Sequence, residues 1–373
     1  MAIHLYFPFF SQPNLHSLHL SINCANSKAN FRKTYLFSLP LKIMKKFGLI
    51  NTVFGWLSFV IAMFVYGLTV EPSVSLWDCG EFISASYRMQ VVHPPGAPLF
   101  LMIGRIFSLM AAGDVTKVAI WVNMVSVVTS ALTVMFTFWI IVHFGKKIMG
   151  VDLNASEVET PTALALLGSG LVGALSLTFM DSFWFSAVEA EVYASSSFFT
   201  ALSFWFILKW ERVKNEHGAD RWLVLIAYSL GLAVGLHLLN LLVIPAVVYY
   251  YYFNRYEYSR KGFYISSAIG LGALGAMQAV ILPGLPKVAA FFDKIFVNSM
   301  GMAFNTGVLF FVVLFLGVLS YGIYYTIKTD RTIANLILNC ILFIFLGYSS
   351  YAMVVIRSLA DPSIDMNNPE DAY

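Results

Sequence analysis

One segment of the sequence gathers an unusual number of reactive side chains: EPSVSLWDCGEFISASYRMQVVHPPG, at residues 71–96. Asp78 and Glu81 are three residues apart, so a helix would place both carboxylates on one face. Two carboxylates held together can raise the pKa of one of them, which suits a general acid or base, or they can bind a cation. The same spacing is common in solvated loops. Spacing alone therefore leaves catalysis, cation binding and an ordinary surface loop open.

The residues beside the acids point to a membrane interface and a rigid turn. Trp77 and Phe82 bracket the carboxylates with aromatic rings, which gather at such interfaces. Pro94 and Pro95 have fixed φ angles and push the residue before each of them towards extended geometry. His93 therefore has a defined direction. It can bind a phosphate as a cation, hydrogen-bond one of the carboxylates, or simply pack the turn.

The elements that carry these residues are membrane helices. The chain has 373 residues, of which 59% are hydrophobic and 12% charged, against about 25% charged in soluble domains. This composition excludes a soluble enzyme, a nucleic-acid-binding protein and a disordered scaffold. Cys24, Cys79 and Cys340 are widely spaced and indicate neither a zinc site nor a disulfide framework.

The apolar runs predict an all-α, polytopic transmembrane bundle of about nine spans. They lie near 49–70, 118–144, 162–180, 184–208, 222–237, 239–253, 263–282, 307–327 and 332–355. A shorter run at 95–112 is opened by Pro94 and Pro95 and carries Arg105 in its middle. We interpret it as a helix lying on the membrane surface.

Basic residues predict the orientation of these spans. With the N-terminus in the cytoplasm, 17 of the 23 Lys and Arg residues fall on the cytoplasmic side, including Lys146 and Lys261. This asymmetry is typical of multi-pass membrane proteins. The membrane expected for this chain is the plasma (inner) membrane. His93, Lys287 and the C-terminus are then expected on the outer, periplasmic side.

Three regions follow from the same patterns. Residues 1–43 are expected to be a poorly ordered or mis-called extension, and residues 44–356 a transmembrane domain whose first outer loop, 71–117, carries the motif. Residues 357–373 read as an outer-face tail, which can be the truncated start of a soluble region.

The motif SLWDCGEFISASYRMQVVHPPGAPLF closely resembles the signature of the membrane family known as domain of unknown function 2723. Its members are glycosyltransferases of the GT-C superfamily, related to protein O-mannosyltransferases. The resemblance implies that Asp78 is the essential acid of the first outer loop, that Glu81 is the second acidic position, and that His93 opens the closing turn. It implies a GT-C-like fold over roughly residues 45–373.

Two further segments resemble the same family. SFWFSAVEAEVYASSSFF at 182–199 matches a segment with Glu189, Glu191 and Tyr193, and GLAVGLHLLNLL at 231–242 matches a glycine-rich span with His237 and Asn240. Glu189 and Glu191 are two residues apart and cannot share a helix face. We therefore expect at most one of the two glutamates to point at a site, with the other in the headgroup layer.

The resemblance implies transfer of a sugar, with mannose one candidate, from a polyprenyl-phosphate donor to a hydroxyl of a protein or glycan on the outer face. Asp78 would act as general base, and Glu81 would orient the acceptor or hold a divalent cation; no other cofactor is expected. Arg88, Arg105 and Arg357 are the candidates for binding the departing phosphate. Membrane lipids are expected partners and nucleic acids are not. The alternative is a transporter or flippase, which predicts broken helices in matching positions of two sequence halves.

Overall fold

The computed structural model describes residues 43–367, so the predicted extension at 1–43 lies almost wholly outside the described residues. Fourteen α-helices follow one another in these residues, joined by short 3₁₀ and π segments. They are α1 (Phe47–Leu68), α2 (Cys79–Arg88), α3 (Pro98–Ser108), α4 (Val118–Ile148), α5 (Thr160–Thr178), α6 (Asp181–Ala187), α7 (Val192–Val213), α8 (Arg221–Val234), α9 (Val243–Arg255), α10 (Arg260–Ala276), α11 (Leu282–Met300), α12 (Thr306–Lys328), α13 (Thr332–Tyr348) and α14 (Ala352–Ser358). A two-residue antiparallel pair joins β1 (Ile43–Met44) to β2 (Val158–Glu159).

Six helical stretches in the described residues are long and apolar enough to cross a membrane: Phe47–Leu68, Val115–Ile148, Thr160–Thr178, Arg260–Met300, Thr306–Lys328 and Thr332–Ser358. The fold is therefore the predicted all-α, multi-pass membrane bundle. Each of the nine predicted spans contains a helix. However, α7, α8 and α9 fall outside these six stretches, because α8 and α9 are short and α7 contains four serines besides its charged end.

The helix α4 is the centre of the first half of the bundle. The helices α1, α3, α5 and α7 all pack against it, and its buried side includes Val127, Val134 and Phe138. Glycines allow two of these close approaches. A Cβ at Gly55 of α1 would meet the Trp139 indole of α4, and one at Gly170 of α5 would meet Phe138.

The predicted surface helix at 95–112 is present as α3, followed by a 3₁₀ turn over Leu109–Ala111. Its inner side buries Phe100, Leu101 and Gly104 against α2 and α4, while Ile106 and Met110 are exposed. An amphipathic helix of this kind suits an interfacial position. Its placement relative to the membrane stays a prediction.

Two predicted spans differ from the structure in continuity. The predicted span at 184–208 is interrupted at residues 188–191, between α6 and α7. The predicted span at 263–282 is part of one continuous helical stretch, Arg260–Met300, which passes through a π segment at Met277–Ile281. Forty-one helical residues measure about 60 Å, roughly twice the thickness of a hydrocarbon core.

One buried carboxylate joins α11 to α12. Asp293 is buried on α11, and its two carboxylate oxygens accept hydrogen bonds from the backbone N–H groups of Asn305, at 3.0 Å, and Gly307, at 2.7 Å. The N-terminal N–H groups of a helix lack intrahelical partners, and an anion satisfies them and complements the helix dipole. The backbone at Gly307 also lies directly against Asp293, with no room for a Cβ.

We expect Asp293→Ala to lower the free energy of unfolding by about 1–3 kcal/mol, because it leaves two backbone N–H groups without an acceptor. The apparent melting temperature in detergent measures the change. The exposed Glu216→Ala variant, between α7 and α8, is the matched control and should melt like the wild type. Equal melting of all three proteins would show that the Asp293 contacts do not stabilise the helix pair.

Candidate active site

The first turn of α2 presents the two carboxylates of the motif. Asp78 is the residue that precedes the helix, and Glu81 lies in its first turn. Phe82 donates its backbone N–H to the carbonyl of Asp78 at 2.9 Å, which fixes the helical spacing from Asp78 onwards. The predicted placement of both acids on one face is therefore present in the structure. Acidic groups at this end of a helix also complement its dipole.

The loop after α2 brings His93 back to these acids. The backbone N–H of His93 donates to Glu81 Oε1 at 2.6 Å, and its imidazole Nδ1 lies 2.9 Å from Glu81 Oε2. Its Nε2 lies 4.0 Å from Asp78 Oδ2. We call Asp78, Glu81 and His93 the acidic–histidine cluster; one ligand atom from each of them lies within 4.8 Å of the others.

The members of the acidic–histidine cluster differ in charge and in solvent exposure. The hydrogen bond to Glu81, together with the charges of Glu81 and Asp78, holds the pKa of His93 above its ordinary value. The imidazolium form is thereby favoured between the two acids. The Glu81 side chain is 14% exposed, while that of Asp78 is 55% exposed. Glu81 is thus committed to His93, whereas Asp78 is open to a substrate.

The turn after His93 is closed by its own backbone. Gly96 donates its N–H to the carbonyl of His93 at 2.9 Å, across a cis Pro94–Pro95 peptide bond. Gly96 has φ +101°, and a Cβ there would approach Asn367 and Val354. Positive φ favours glycine.

The C-terminal segment holds the loop that carries His93. Val91 donates its N–H to the carbonyl of Ile364 and accepts from Met366, both at 3.0 Å. Arg357 donates through Nε to the carbonyl of Met89 at 2.5 Å. The described part of the predicted outer tail, up to residue 367, therefore packs on the first loop two to four residues before His93.

The arginines predicted to bind phosphate lie at the carbonyl end of α2, and their phosphate role stays a prediction. Arg105 donates to the carbonyl of Tyr87 at 2.5 Å, and Arg357 to that of Met89, so both bind the carbonyl end of α2. Arg88 is the last residue of this helix and lies over the Tyr87 ring. Ten residues of α2 separate this end from Asp78 by about 15 Å. Cations suit the C-terminal end of a helix, where they complement its dipole.

Glu189 and Glu191 are both buried, which corrects the expectation that one of them lies in the headgroup layer. That expectation assumed helical spacing, but residues 188–191 form a non-helical break, in which the N–H of Glu191 donates to the carbonyl of Glu189 at 2.8 Å. Glu189 accepts from Ser75 Oγ at 2.7 Å. Glu191 lies 3.8 Å from Cys79 Sγ. Both glutamates therefore face the segment that carries Asp78.

Burial raises the pKa of Glu191 to about 7, with smaller contributions from the negative charges of Asp78 and Glu189. The same burial raises the pKa of the Cys79 thiol to about 12, so this thiol stays protonated and is a poor nucleophile. Glu191 therefore changes its protonation near neutral pH, and His93, whose pKa is raised, is a second group of this region that titrates in or above this range.

Glu191 gives rise to an expected pH dependence of stability. Its pKa is about 7 in the folded chain, above the ordinary value of 4.5, so the folded state binds more protons between these values. Stability should therefore fall as the pH rises from about 4.5 to 7, by about 1–2 kcal/mol after solvent screening. Melting temperatures of the wild type and Glu191→Gln across this range test it. The melting temperature of Glu191→Gln should depend less on pH in this range than that of the wild type. The same pH dependence in both proteins would contradict the raised pKa of Glu191.

Tyr193, His237 and Asn240 form a separate group at the break between α8 and α9. The rings of Tyr193 and His237 lie 5.3 Å apart, and His237 Nδ1 accepts the N–H of Leu239. Asn240 is buried, accepts from Thr200 at 3.0 Å and donates to backbone carbonyls. Within residues 43–367, none of these contacts joins them to the acidic–histidine cluster. Their predicted substrate-binding role stays a prediction.

The two aromatic residues beside the acids have different roles. Trp77 is exposed, as an interfacial residue should be. Phe82 is buried, with its ring edge-on to Phe100 at 5.2 Å and near His93 at 5.9 Å, so the predicted interfacial position of Phe82 is wrong. Phe82 lies in the first turn of α2, on the side that packs against α3, and its side chain is therefore buried.

One residue that positions the loop was not predicted from the sequence. Asn123 is buried on α4 and donates through Nδ2 to the carbonyls of Glu71 at 2.6 Å and Ser73 at 3.1 Å. It thereby fixes the segment just before Asp78. An asparagine inside an apolar span was the available signal, because polar side chains are costly there unless they are paired.

These features define a multi-pass helical membrane protein with a carboxylate and histidine cluster at one end of the bundle. Residues 78–260 match the family model described as the N-terminal domain of protein O-mannosyl-transferase TMEM260. The match begins at Asp78 itself and includes the cluster, the 188–191 break and the α8–α9 break. It supports an O-mannosyltransferase-related membrane family. The resemblance to domain of unknown function 2723 stays a prediction.

Two curated relatives agree with this family. The chain is 28% identical over 221 residues to protein O-mannosyl-transferase tmem260 of Dictyostelium discoideum, covering 55% of this chain and 23% of the relative. It is 24% identical over 171 residues to protein O-mannosyl-transferase TMEM260 of Mus musculus, covering 46% of this chain and 21% of that protein. The chain thus spans less than a quarter of the length of these relatives. No solved structure matches.

Proposed function

We propose that this chain is a GT-C-type membrane glycosyltransferase that moves a sugar, in the first instance mannose, from a polyprenyl-phosphate donor to a protein hydroxyl. One observation carries the proposal: Asp78 is an exposed carboxylate held beside a Glu81–His93 pair at the end of a membrane bundle. The names of the relatives, which are protein O-mannosyl-transferases, support the sugar and the acceptor.

In the proposed reaction Asp78 is the general base. Its carboxylate takes the proton of the acceptor hydroxyl while the hydroxyl oxygen attacks the anomeric carbon of the sugar. The bond between this carbon and the phosphate oxygen breaks, and the polyprenyl phosphate leaves with the bonding electron pair. Asp78 suits this role because its oxygens are accessible, whereas those of Glu81 are occupied by two donors from His93.

His93 and Glu81 position this base. With both ring nitrogens protonated, His93 donates from Nδ1 to Glu81 and presents its positive Nε2–H side towards Asp78. This arrangement holds the first turn of α2 and the closing turn together. The imidazolium also places a positive charge beside the region where the phosphate develops its charge. Arg88, Arg105 and Arg357 remain further candidates for binding the phosphate.

A divalent cation is the alternative occupant of the acidic–histidine cluster, since two carboxylates and an imidazole can each offer one ligand atom. Cation binding requires a neutral imidazole and so competes with the proton on His93. Transfer activity should survive treatment with a chelator if the imidazolium is the working state. Loss of activity with a chelator and recovery with added Mg²⁺ or Mn²⁺ would assign the cluster to a cation.

The outer-face location and the cytoplasmic N-terminus belong to the same proposal. They are supported by the distribution of basic residues along the chain. Labelling of single cysteines in intact cells tests the orientation: position 93 should react with an impermeant reagent, and position 261 should not.

A transporter or flippase is the competing function, and the breaks at residues 188–191 and 235–242 give it some structural basis. A paired assay on the purified chain separates the two. A glycosyltransferase transfers labelled sugar from a polyprenyl-phosphate donor to a hydroxyl-bearing peptide in detergent, where there are no compartments. A transporter accumulates substrate only in sealed liposomes. Uptake without transfer would contradict the proposed function.

A further inference from the structure

A cavity lies at the opposite end of the bundle from the acidic–histidine cluster. It measures about 490 Å³ and is formed by the beginning of α1, the end of α4, the end of α7 and the loop at 153–156. The acidic–histidine cluster is near the end of α1 and the beginnings of α4 and α7. Because α4 begins at Val118 and reaches the cavity at Trp139, the two places are separated by about 30 Å along the helix.

The walls of this cavity have the composition of a lipid headgroup site. Trp139 of α4 lies against Gly55 of α1 and donates its indole N–H to the carbonyl of Asn51 at 3.1 Å. Trp205 of α7 lies beside it in the cavity wall, with the two rings 5.9 Å apart. Tryptophans are enriched at the level of lipid headgroups. The outer side of α1 beside the cavity exposes Leu49 and Val53, a surface that a bilayer would cover.

Three cations line the cavity, and within residues 43–367 no carboxylate does. Lys209 lies 4.5 Å over the Trp205 ring and has no carboxylate partner in the described chain. Arg212, three residues later on α7, donates through Nε to Asn154 Oδ1 at 2.9 Å. Lys146 is bonded to the carbonyls of residues 152, 153 and 155.

The nearest buried acid does not neutralise this group of cations. Glu211 is bound by Lys147 at 2.6 Å and His143 at 2.7 Å, and it also accepts from Tyr250. Its charge is therefore already balanced. Asp152 accepts the backbone N–H of Asn154 and does not line the cavity. The cavity is left with an excess of positive charge.

We propose that this cavity binds the phosphate ester of an anionic ligand, with Lys209 and Arg212 as its principal contacts. An arginine fork and a lysine suit phosphate oxygens, and the tryptophan walls suit the glycerol and first methylene groups of a lipid. The volume is within the range of small-ligand sites, about 300–1,000 Å³. The site is independent of sugar transfer at the acidic–histidine cluster.

The test measures how much lipid the purified full chain retains by native mass spectrometry. Phosphatidylglycerol and diacylglycerol, which lacks the phosphate, are titrated into detergent-solubilised protein. The wild type should retain phosphatidylglycerol and not diacylglycerol. Lys209→Gln together with Arg212→Gln should weaken retention at least about tenfold, as expected for the loss of charge-assisted contacts. The matched control, Lys328→Gln with Arg331→Gln, removes two exposed charges elsewhere and should retain lipid like the wild type.

Added inorganic phosphate distinguishes the source of the ligand. If millimolar phosphate displaces phosphatidylglycerol from the wild type, the site recognises the phosphate group alone; if it does not, the lipid itself is the ligand. Either result supports a phosphate site. If the double variant does not fold, Lys209→Gln alone is used in its place, provided that its melting temperature is that of the wild type. Equal retention by the cavity variants and the control, or equal retention of diacylglycerol, would overturn the proposal.

Discussion

Asp78→Asn should reduce sugar transfer by about 10²–10⁴-fold while leaving folding and membrane insertion intact. The change keeps the size and the hydrogen-bonding shape of the side chain but removes its ability to take a proton, which is the expected contribution of a general base. The Asp78 carboxylate is exposed and accepts no hydrogen bond within the described chain that folding would lose. The loss should therefore appear in kcat, and melting should be unchanged.

Two variants control this result. Asp114→Asn removes an acid whose contacts are with Thr116 and Lys117, after α3 and outside the cluster, and should be nearly neutral. Glu81→Gln should reduce sugar transfer less than Asp78→Asn does, or by a comparable amount. The two N–H groups of His93 bond to different oxygens of Glu81, and an amide keeps only one of these oxygens as an acceptor. If Glu81→Gln is inactive and Asp78→Asn is active, Glu81 is the general base and Asp78 the positioning residue. Full activity of both would remove the catalytic role of the loop.

His93→Ala should lower kcat on the order of 10- to 100-fold with little change in the KM for the lipid donor. The imidazole fixes Glu81 and faces Asp78, and small displacements of a reacting group can cost about 10²-fold. A phosphate-binding histidine would instead raise the KM. The exposed His217→Ala variant is the matched control and should behave like the wild type.

The pH profile separates an orienting role from simple packing. The hydrogen bond to Glu81 raises the pKa of His93, so the imidazolium persists above the ordinary value of 6.5 and is lost as the pH rises through the raised pKa. The activity of the wild type should fall as the pH rises through this pKa. In His93→Ala this fall should be missing from the pH profile. Unchanged kcat, KM and pH profile in the variant would leave only a packing role for this residue.

The central part of this site could be predicted from the sequence because its determinants are local. The three-residue spacing of Asp78 and Glu81 needs only the first turn of a helix, and the two prolines need only their own rings to direct His93. The structure brings these three groups together at 2.9 and 4.0 Å. The number of apolar runs likewise predicted a helical membrane bundle, since each run needs only its own length and composition.

The features that the sequence did not reveal depend on distant contacts. Arg105 and Arg357 are eighteen and 268 residues from the carbonyls they bind, so their charge alone suggested a phosphate. Glu189 and Glu191 were interpreted with helical spacing, but the chain is not helical there, and only packing on Ser75 and Cys79 explains why both are buried. The contact of the 364–366 segment with Val91 has no local signal at all.

The central claim is sugar transfer from a lipid-linked donor by the acidic–histidine cluster, and one measurement tests it most directly. The purified chain in nanodiscs is given polyprenyl-phosphate mannose, labelled in the sugar, and a peptide rich in serine and threonine. The label attached to the peptide is counted for the wild type, Asp78→Asn and Asp114→Asn. We expect labelled peptide with the wild type and with Asp114→Asn, and almost none with Asp78→Asn. Equal labelling by all three proteins would contradict the claim.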